Sequence, residues 1–220
     1  MKWVDKLERR FGRIAIHDLM MAIVIGQAVV FLAEFFMPGL GIWSKLSLYM
    51  PAVLQGEVWR LITFIFVPSA STPISLLLTL YLMWLIGHTL EQSWGDFRFN
   101  VYYLLGVLGA ILAAVITGWG TTYYLNLSLF FAFAMLYPEV QLLLFFVIPI
   151  RVKYFGFFAA ALWVFSFLSA PLAGKLSYLL SMLNVWAFFG PMAYRSVRAW
   201  IRREQWKRKN RRETAVSRNR

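Results

Sequence analysis

Cysteine is absent from this chain, which excludes disulfides, thiol nucleophiles and thiolate metal sites. Histidine is nearly absent, with only two residues, His17 and His88. Acidic residues are scarce too: ten Asp and Glu stand against 22 Lys and Arg, for a formal net charge of +12. Charge of either sign is thin throughout, because 15% of the residues are charged while 60% are hydrophobic and 18% aromatic. A water-soluble fold has too little interior to hide that apolar share. The apolar residues arrive in runs of about 15 to 20, the length that crosses roughly 30 Å of hydrocarbon at 1.5 Å per residue. The bilayer is therefore the expected solvent for most of the chain. No series of carboxylates or histidines lies inside these runs, which argues against a proton-coupled transporter or channel.

The basic residues are sorted by position. Five lie in the first 13 residues and eleven between Arg195 and Arg220. They do not form a basic face interleaved with stacking aromatics, so nucleic acid is not an expected partner. Tails of this kind fit Lys and Arg retained on the cytoplasmic side and drawn to anionic lipid headgroups.

Residues 1–18 read as an amphipathic cytoplasmic segment, with Val4, Leu7, Phe11 and Ile14 near helical spacing and Lys6, Arg9, Arg10 and Arg13 between them. Residues 19–194 read as an all-α, six-helix transmembrane bundle, and 195–220 as a basic cytoplasmic tail. The first span is Leu19 to Met37; no small-residue cleavage site follows it, so it is read as retained. The connection Pro38 to Pro73 holds apolar stretches too short to cross and is placed in the interface. Further spans are Ile74 to Leu90, Val101 to Trp119, Tyr123 to Tyr137, Tyr154 to Leu168 and Leu176 to Tyr194. Pro149 breaks the apolar stretch Leu142 to Ile150, which is expected to dip into the interface without crossing. The small residues Gly106, Gly109, Ala110, Ala113 and Ala114 mark a tightly packed face on the third span. Charge tests the count: six spans leave only Lys45, Arg60 and Lys175 outside, whereas an odd number would place one basic tail there. Both termini are expected in the cytoplasm.

Three motifs stand in order along this background. Gly56-Glu57-Val58-Trp59-Arg60 lies in the first connection, Leu90-Glu91-Gln92-Ser93-Trp94-Gly95 closes the second span, and Phe97-Arg98-Phe99 opens the third. The stretch from Ala132 through Pro138 to Lys153 continues the pattern. Together they resemble the rhomboid superfamily over roughly residues 40 to 195. On physical grounds, Gly95 permits positive φ in a tight turn, and Glu91 is placed to accept amides where the third helix begins. Trp59 suits an interfacial belt, and Arg60 either snorkels to headgroups or binds carbonyls of its own loop.

The resemblance implies an intramembrane serine protease fold, and the catalytic positions depart from it. Aligned from Pro138, Thr121-Thr122-Tyr123-Tyr124 replaces the serine motif, putting Tyr123 at the nucleophile position. Phe188-Phe189-Gly190 replaces the His-x-Gly of the sixth span, and Ser75 and Thr79 replace the oxyanion pair. The resemblance thus implies a catalytically silent protein, similar to pseudoproteases and derlins, that binds membrane-embedded client proteins in quality control or trafficking. The alternative is a protease with an atypical site on Ser128, with Lys175 as a conceivable base. Of the remaining intramembrane polar residues, the neutral Gln27, Asn126 and Asn184 read first as interhelical hydrogen-bonding groups, Glu34 lies near the outer interface, and His17 and His88 read as interfacial histidines. Asn126 and Ser128 are expected to pin the short fourth helix between its neighbours. Gly190, like Trp59, Arg60, Glu91, Gly95 and Asn126, is given a structural role. No cofactor and no metal is expected, the partners are the bilayer and transmembrane clients, and the expected location is a bacterial plasma membrane.

Overall fold

The computed structural model describes residues 2–70, 72–144 and 148–190. The basic tail 195–220 and the end of the sixth expected span, 191–194, lie outside the described residues. The chain falls into two compact units, Met1–Asn184 and Val185–Arg220. The first contains all the elements labelled here; the second is helical as far as Gly190.

In chain order, α1 (Lys2–Phe11) and a 3-10 turn lead to the first long helix, α2 (Leu19–Phe36). The connection that follows folds as α3 (Ile42–Leu46), β1 (Leu48–Tyr49), α4 (Met50–Leu54) and α5 (Arg60–Thr63). Two long helices come next, α6 (Pro73–Trp94) and α7 (Asp96–Thr117), then β2 (Trp119–Gly120) and α8 (Tyr123–Leu136). A hairpin of β3 (Gln141–Leu144) and β4 (Ile148–Arg151) precedes α9 (Val152–Ser169) and α10 (Leu172–Ser181). Among the described residues the regular structure is thus helical apart from two short antiparallel ladders, β1 with β2 and β3 with β4. The stretch expected to lie in the interface near Pro149 is the second ladder, in which Leu143 pairs with Pro149.

Helix ends follow local chemistry. Thr72 and Ser75 form a reciprocal capping box around Pro73, the first residue of α6. That helix stops at Gly95, whose φ of 82° is open to glycine at little cost. Asp96 then begins α7, its carboxylate suited to the positive end of the helix dipole. Among the described residues, four helices, α2, α6, α7 and α9, are long and apolar enough to cross a membrane, or five spans if Leu172–Ser181 and Leu183–Gly190 form one broken span. The expected six exceeds this because α8 has 14 residues, short of the roughly 20 a span needs.

The small-residue face of α7 is packed as expected. Gly106, Gly109, Ala110, Ala113 and Ala114 are all buried. A Cβ on Gly109 would collide with the Leu180 carbonyl of α10, so the two backbones approach as closely as glycine allows. Ala110 and Ala114 meet Leu48, Met50 and Phe64 of the first connection. On the other side, α2 packs along α6, with the Met20 side chain seated over Gly87.

The two ends of α7 define two ends of the bundle, about 33 Å apart at helical rise. Its first turn holds α1, where Arg98 pairs with Asp5 at 3.0 Å and Glu8 at 3.3 Å. Its last residues hold the first connection through the β1–β2 ladder and Met50 N, which donates to Gly118 O at 2.9 Å.

Candidate functional site

Two cavities, each of about 310 Å³, meet at Tyr123, the first residue of α8. One is lined by hydroxyls, Ser47, Ser69, Thr121 and Thr122, with Phe64, Val67 and Pro68 of the first connection. The other is aromatic and lies among α8, α9 and α10, lined by Tyr124, Phe155, Phe158, Trp163 and Tyr178 among others.

The hydroxyl cavity exists because the first connection is folded firmly against the end of α7. Arg60 organises that connection from inside, only 7% exposed. Its Nε donates to Glu57 at 2.5 Å, and one terminal nitrogen donates to the carbonyls of Ser44 at 2.5 Å and Ser47 at 2.9 Å. Of the two roles open to Arg60, carbonyl binding within its own loop is the one found. Trp59 beside it is half exposed. Within the cavity, Thr122 Oγ1 donates to Val67 O at 3.2 Å and stands 3.0 Å from Ser69 Oγ, so the pair is already engaged.

The aromatic cavity exists because α9 packs loosely. Tyr124 and Tyr178 meet edge to face at 5.2 Å, and Trp163 lies edge to face on Tyr178 at 6.1 Å. These contacts fix one wall. Trp163 Nε1 is buried without a hydrogen-bond partner among the described residues.

A hydroxyl nucleophile needs a base to take its proton. Among the described residues, neither cavity is lined by His, Lys, Asp or Glu. Tyr123, at the nucleophile position, is exposed and its ring stands edge to face with Tyr124 at 5.2 Å. Ser75 is committed to the α6 cap, where its hydroxyl meets Thr72 Oγ1 at 2.7 Å. Ser128, the other candidate nucleophile, has no exposed surface and lines neither cavity. Its hydroxyl donates to Leu125 O at 2.7 Å and accepts from Asn184 Nδ2 at 2.7 Å, while its carbonyl accepts from the Tyr102 hydroxyl at 2.8 Å. Ser128 therefore ties α8 to α7 and to the Asn184 segment.

Asn126 does not share that task as expected: its Oδ1 is buried with no hydrogen-bond partner among the described residues. Two positions along a helix project about 200° apart, and the Ser128 side meets Asn184 and Tyr102. Glu91 also departs from expectation. Its Oε1 accepts Leu19 N, the first amide of α2, at 3.0 Å. Gln27, almost fully buried, donates to Ile65 O at 2.8 Å, and Glu34 Oε2 accepts Trp43 N at 3.1 Å. Gly190 closes the described helix, and a Cβ there would meet open space.

The Ser69–Thr122 pair and the Trp163–Tyr178 wall were not singled out from sequence. Both join residues more than a dozen positions apart, and no motif carries them. No family model matches the chain, and no curated protein matches it in sequence.

Proposed function

We propose that the chain is a rhomboid-fold membrane protein without proteolytic activity that binds membrane-embedded client proteins. In this reading six segments cross, with α8 shielded inside the bundle, and both termini lie in the cytoplasm near anionic headgroups. The observation that carries it is the lining of the two cavities at Tyr123: hydroxyls and aromatic rings, with no base among the described residues. Such a lining offers apolar area and hydrogen bonds to a bound segment but nothing that removes a proton. The aromatic cavity opens beside α9, the apolar helix least covered by the rest of the chain, where a transmembrane client would approach within the bilayer.

The test is reconstitution of the full chain in vesicles with a fluorophosphonate probe and a generic transmembrane substrate. Neither labelling nor cleavage is expected, and photocrosslinking from position Phe158 should capture the intact substrate helix. Labelling that disappears in Ser128→Ala would establish the atypical protease instead. Because the chain has no cysteine, orientation is read directly from Ser93→Cys: protection from an external reagent is expected, and external labelling would overturn the topology.

A further inference from the structure

At the end of the bundle away from both cavities, His88 and Glu91 occupy the last turns of α6, and Asp18 immediately precedes α2. Residues three apart share a helix face, so His88 and Glu91 project together toward the start of α2. One ligand atom from each of the three side chains lies within 4.8 Å of the others.

Three features set this group apart from an ordinary surface cluster. Glu91 is 3% exposed; while its Oε1 accepts Leu19 N, its Oε2 is buried without a hydrogen-bond partner among the described residues. Asp18 stands at the N-cap position, where a carboxylate ordinarily caps its own helix, yet makes no side-chain cap bond there. His88 is held in orientation, stacked on Trp84 at 5.5 Å, with Gln92 Nε2 2.9 Å from its Nε2. The Gln92 amide nitrogen donates, so ligation through the other ring nitrogen requires that amide to turn and let its oxygen accept the imidazole N–H.

We propose that Asp18, His88 and Glu91 bind a first-row divalent cation of the Zn²⁺ type. One imidazole nitrogen with two carboxylate oxygens suits such an ion, whereas Mg²⁺ and Ca²⁺ favour all-oxygen shells. Ligands of a tetrahedral zinc ion stand about 3.4 Å apart, from bonds of about 2.1 Å. The side chains therefore close inward on binding, with exposed Asp18 moving most. The ion neutralises two carboxylates, gives Glu91 Oε2 a partner, and joins the start of α2 to the end of α6.

The experiment uses full-length, metal-stripped protein in detergent without a polyhistidine tag. Zn²⁺ is titrated in competition with a fluorescent chelator, and Tm is followed in parallel. Expected are one equivalent per chain and a Tm that rises with Zn²⁺. His88→Ala and Asp18→Asn should each weaken binding about tenfold or more and abolish the Tm response, while His17→Ala keeps both. Asp18 is exposed, so its variant tests the site even where a change at His88 disturbs packing. Absence of saturable uptake, or uptake equal in wild type and Asp18→Asn, or loss in His17→Ala as great as in His88→Ala, would overturn the proposal.

Discussion

The helices α7 and α9 are both apolar and both long enough to cross a membrane, yet the chain treats them differently. Eight residues of α7 are buried, while α9 buries only Val152. Hydrophobicity does not separate them, because in lipid an apolar surface is content whether or not another helix covers it. Side-chain size does. The face of α7 is glycine and alanine, which admits the Leu180 carbonyl and the Leu48–Phe64 cluster, whereas α9 carries Phe157, Phe158, Phe165 and Leu168 outward. What holds α9 is its foot: Lys153 N donates to Pro138 O, Val152 N to Val140 O, and Glu139 pairs with both Arg151 and Lys153.

The largest expected effect breaks the tight side of this contrast. Gly109→Leu drives a side chain into the α10 backbone and should cost about 3 kcal/mol or more, read from unfolding in detergent, because overpacking that meets main chain has no easy relief. Ala161→Leu, the matching enlargement on exposed α9, should stay within about 0.5 kcal/mol. Comparable losses at the two positions would remove the distinction. Next in size, Arg60→Ala leaves two carbonyls and the Glu57 carboxylate without their donor, and about 2 to 3 kcal/mol should be lost. Lysine at this position should recover only part, since it lacks the planar fork. A full recovery in Arg60→Lys would show that charge alone organises the loop.

Ser128→Ala tests the seam between the two regions. Interhelical hydrogen bonds in membranes average about 0.6 kcal/mol, so a small Tm loss is expected, with no change in probe labelling. The smallest effect lies at the foot of α9. The Lys153 ammonium hydrogen bond, with further attraction from Lys153 and Arg151, holds the exposed Glu139 carboxyl below the usual glutamate range. Its contribution is therefore present above the unfolded-chain pKa of about 4.3 and lost as pH falls through the lower folded value. Hydrogen exchange at 139–153 should quicken in that acid window in wild type and show no such step in Glu139→Gln. An unchanged step in the variant would place the anchor elsewhere.

Much of the long-helix pattern was legible in the sequence because apolar runs and small-residue spacing are one-dimensional signals. The packed face of α7 could be named from Gly106 to Ala114 alone. Positive φ at Gly95 followed from a turn too short for other residues. Partner choice was less legible. Glu91 was assigned to the helix that follows it in sequence, whereas the start of α2, 72 positions away, is its neighbour in space. Asn126 and Ser128 are equally polar on paper, and only the placement of Asn184 and Tyr102 distinguishes them. The aromatic cavity depends on where α9 rests, which no residue pattern on α9 specifies, and the hydroxyl cavity on how the first connection folds back on the end of α7.

The β1–β2 ladder carries a consequence for the order of synthesis. Leu48 pairs with Gly120, and Met50 N waits for the carbonyl of Gly118. During translation at about 5 to 20 residues per second, the first connection emerges several seconds before its partner strand exists. Arg60 reaches carbonyls only 13 and 16 positions back, so the inner knot of that loop can close at once. The loop is thus born with its own clasp and acquires its mooring only after both α6 and α7 have been made. A nascent chain arrested before Gly120 should hold the Arg60 knot while leaving Leu48 open to labelling.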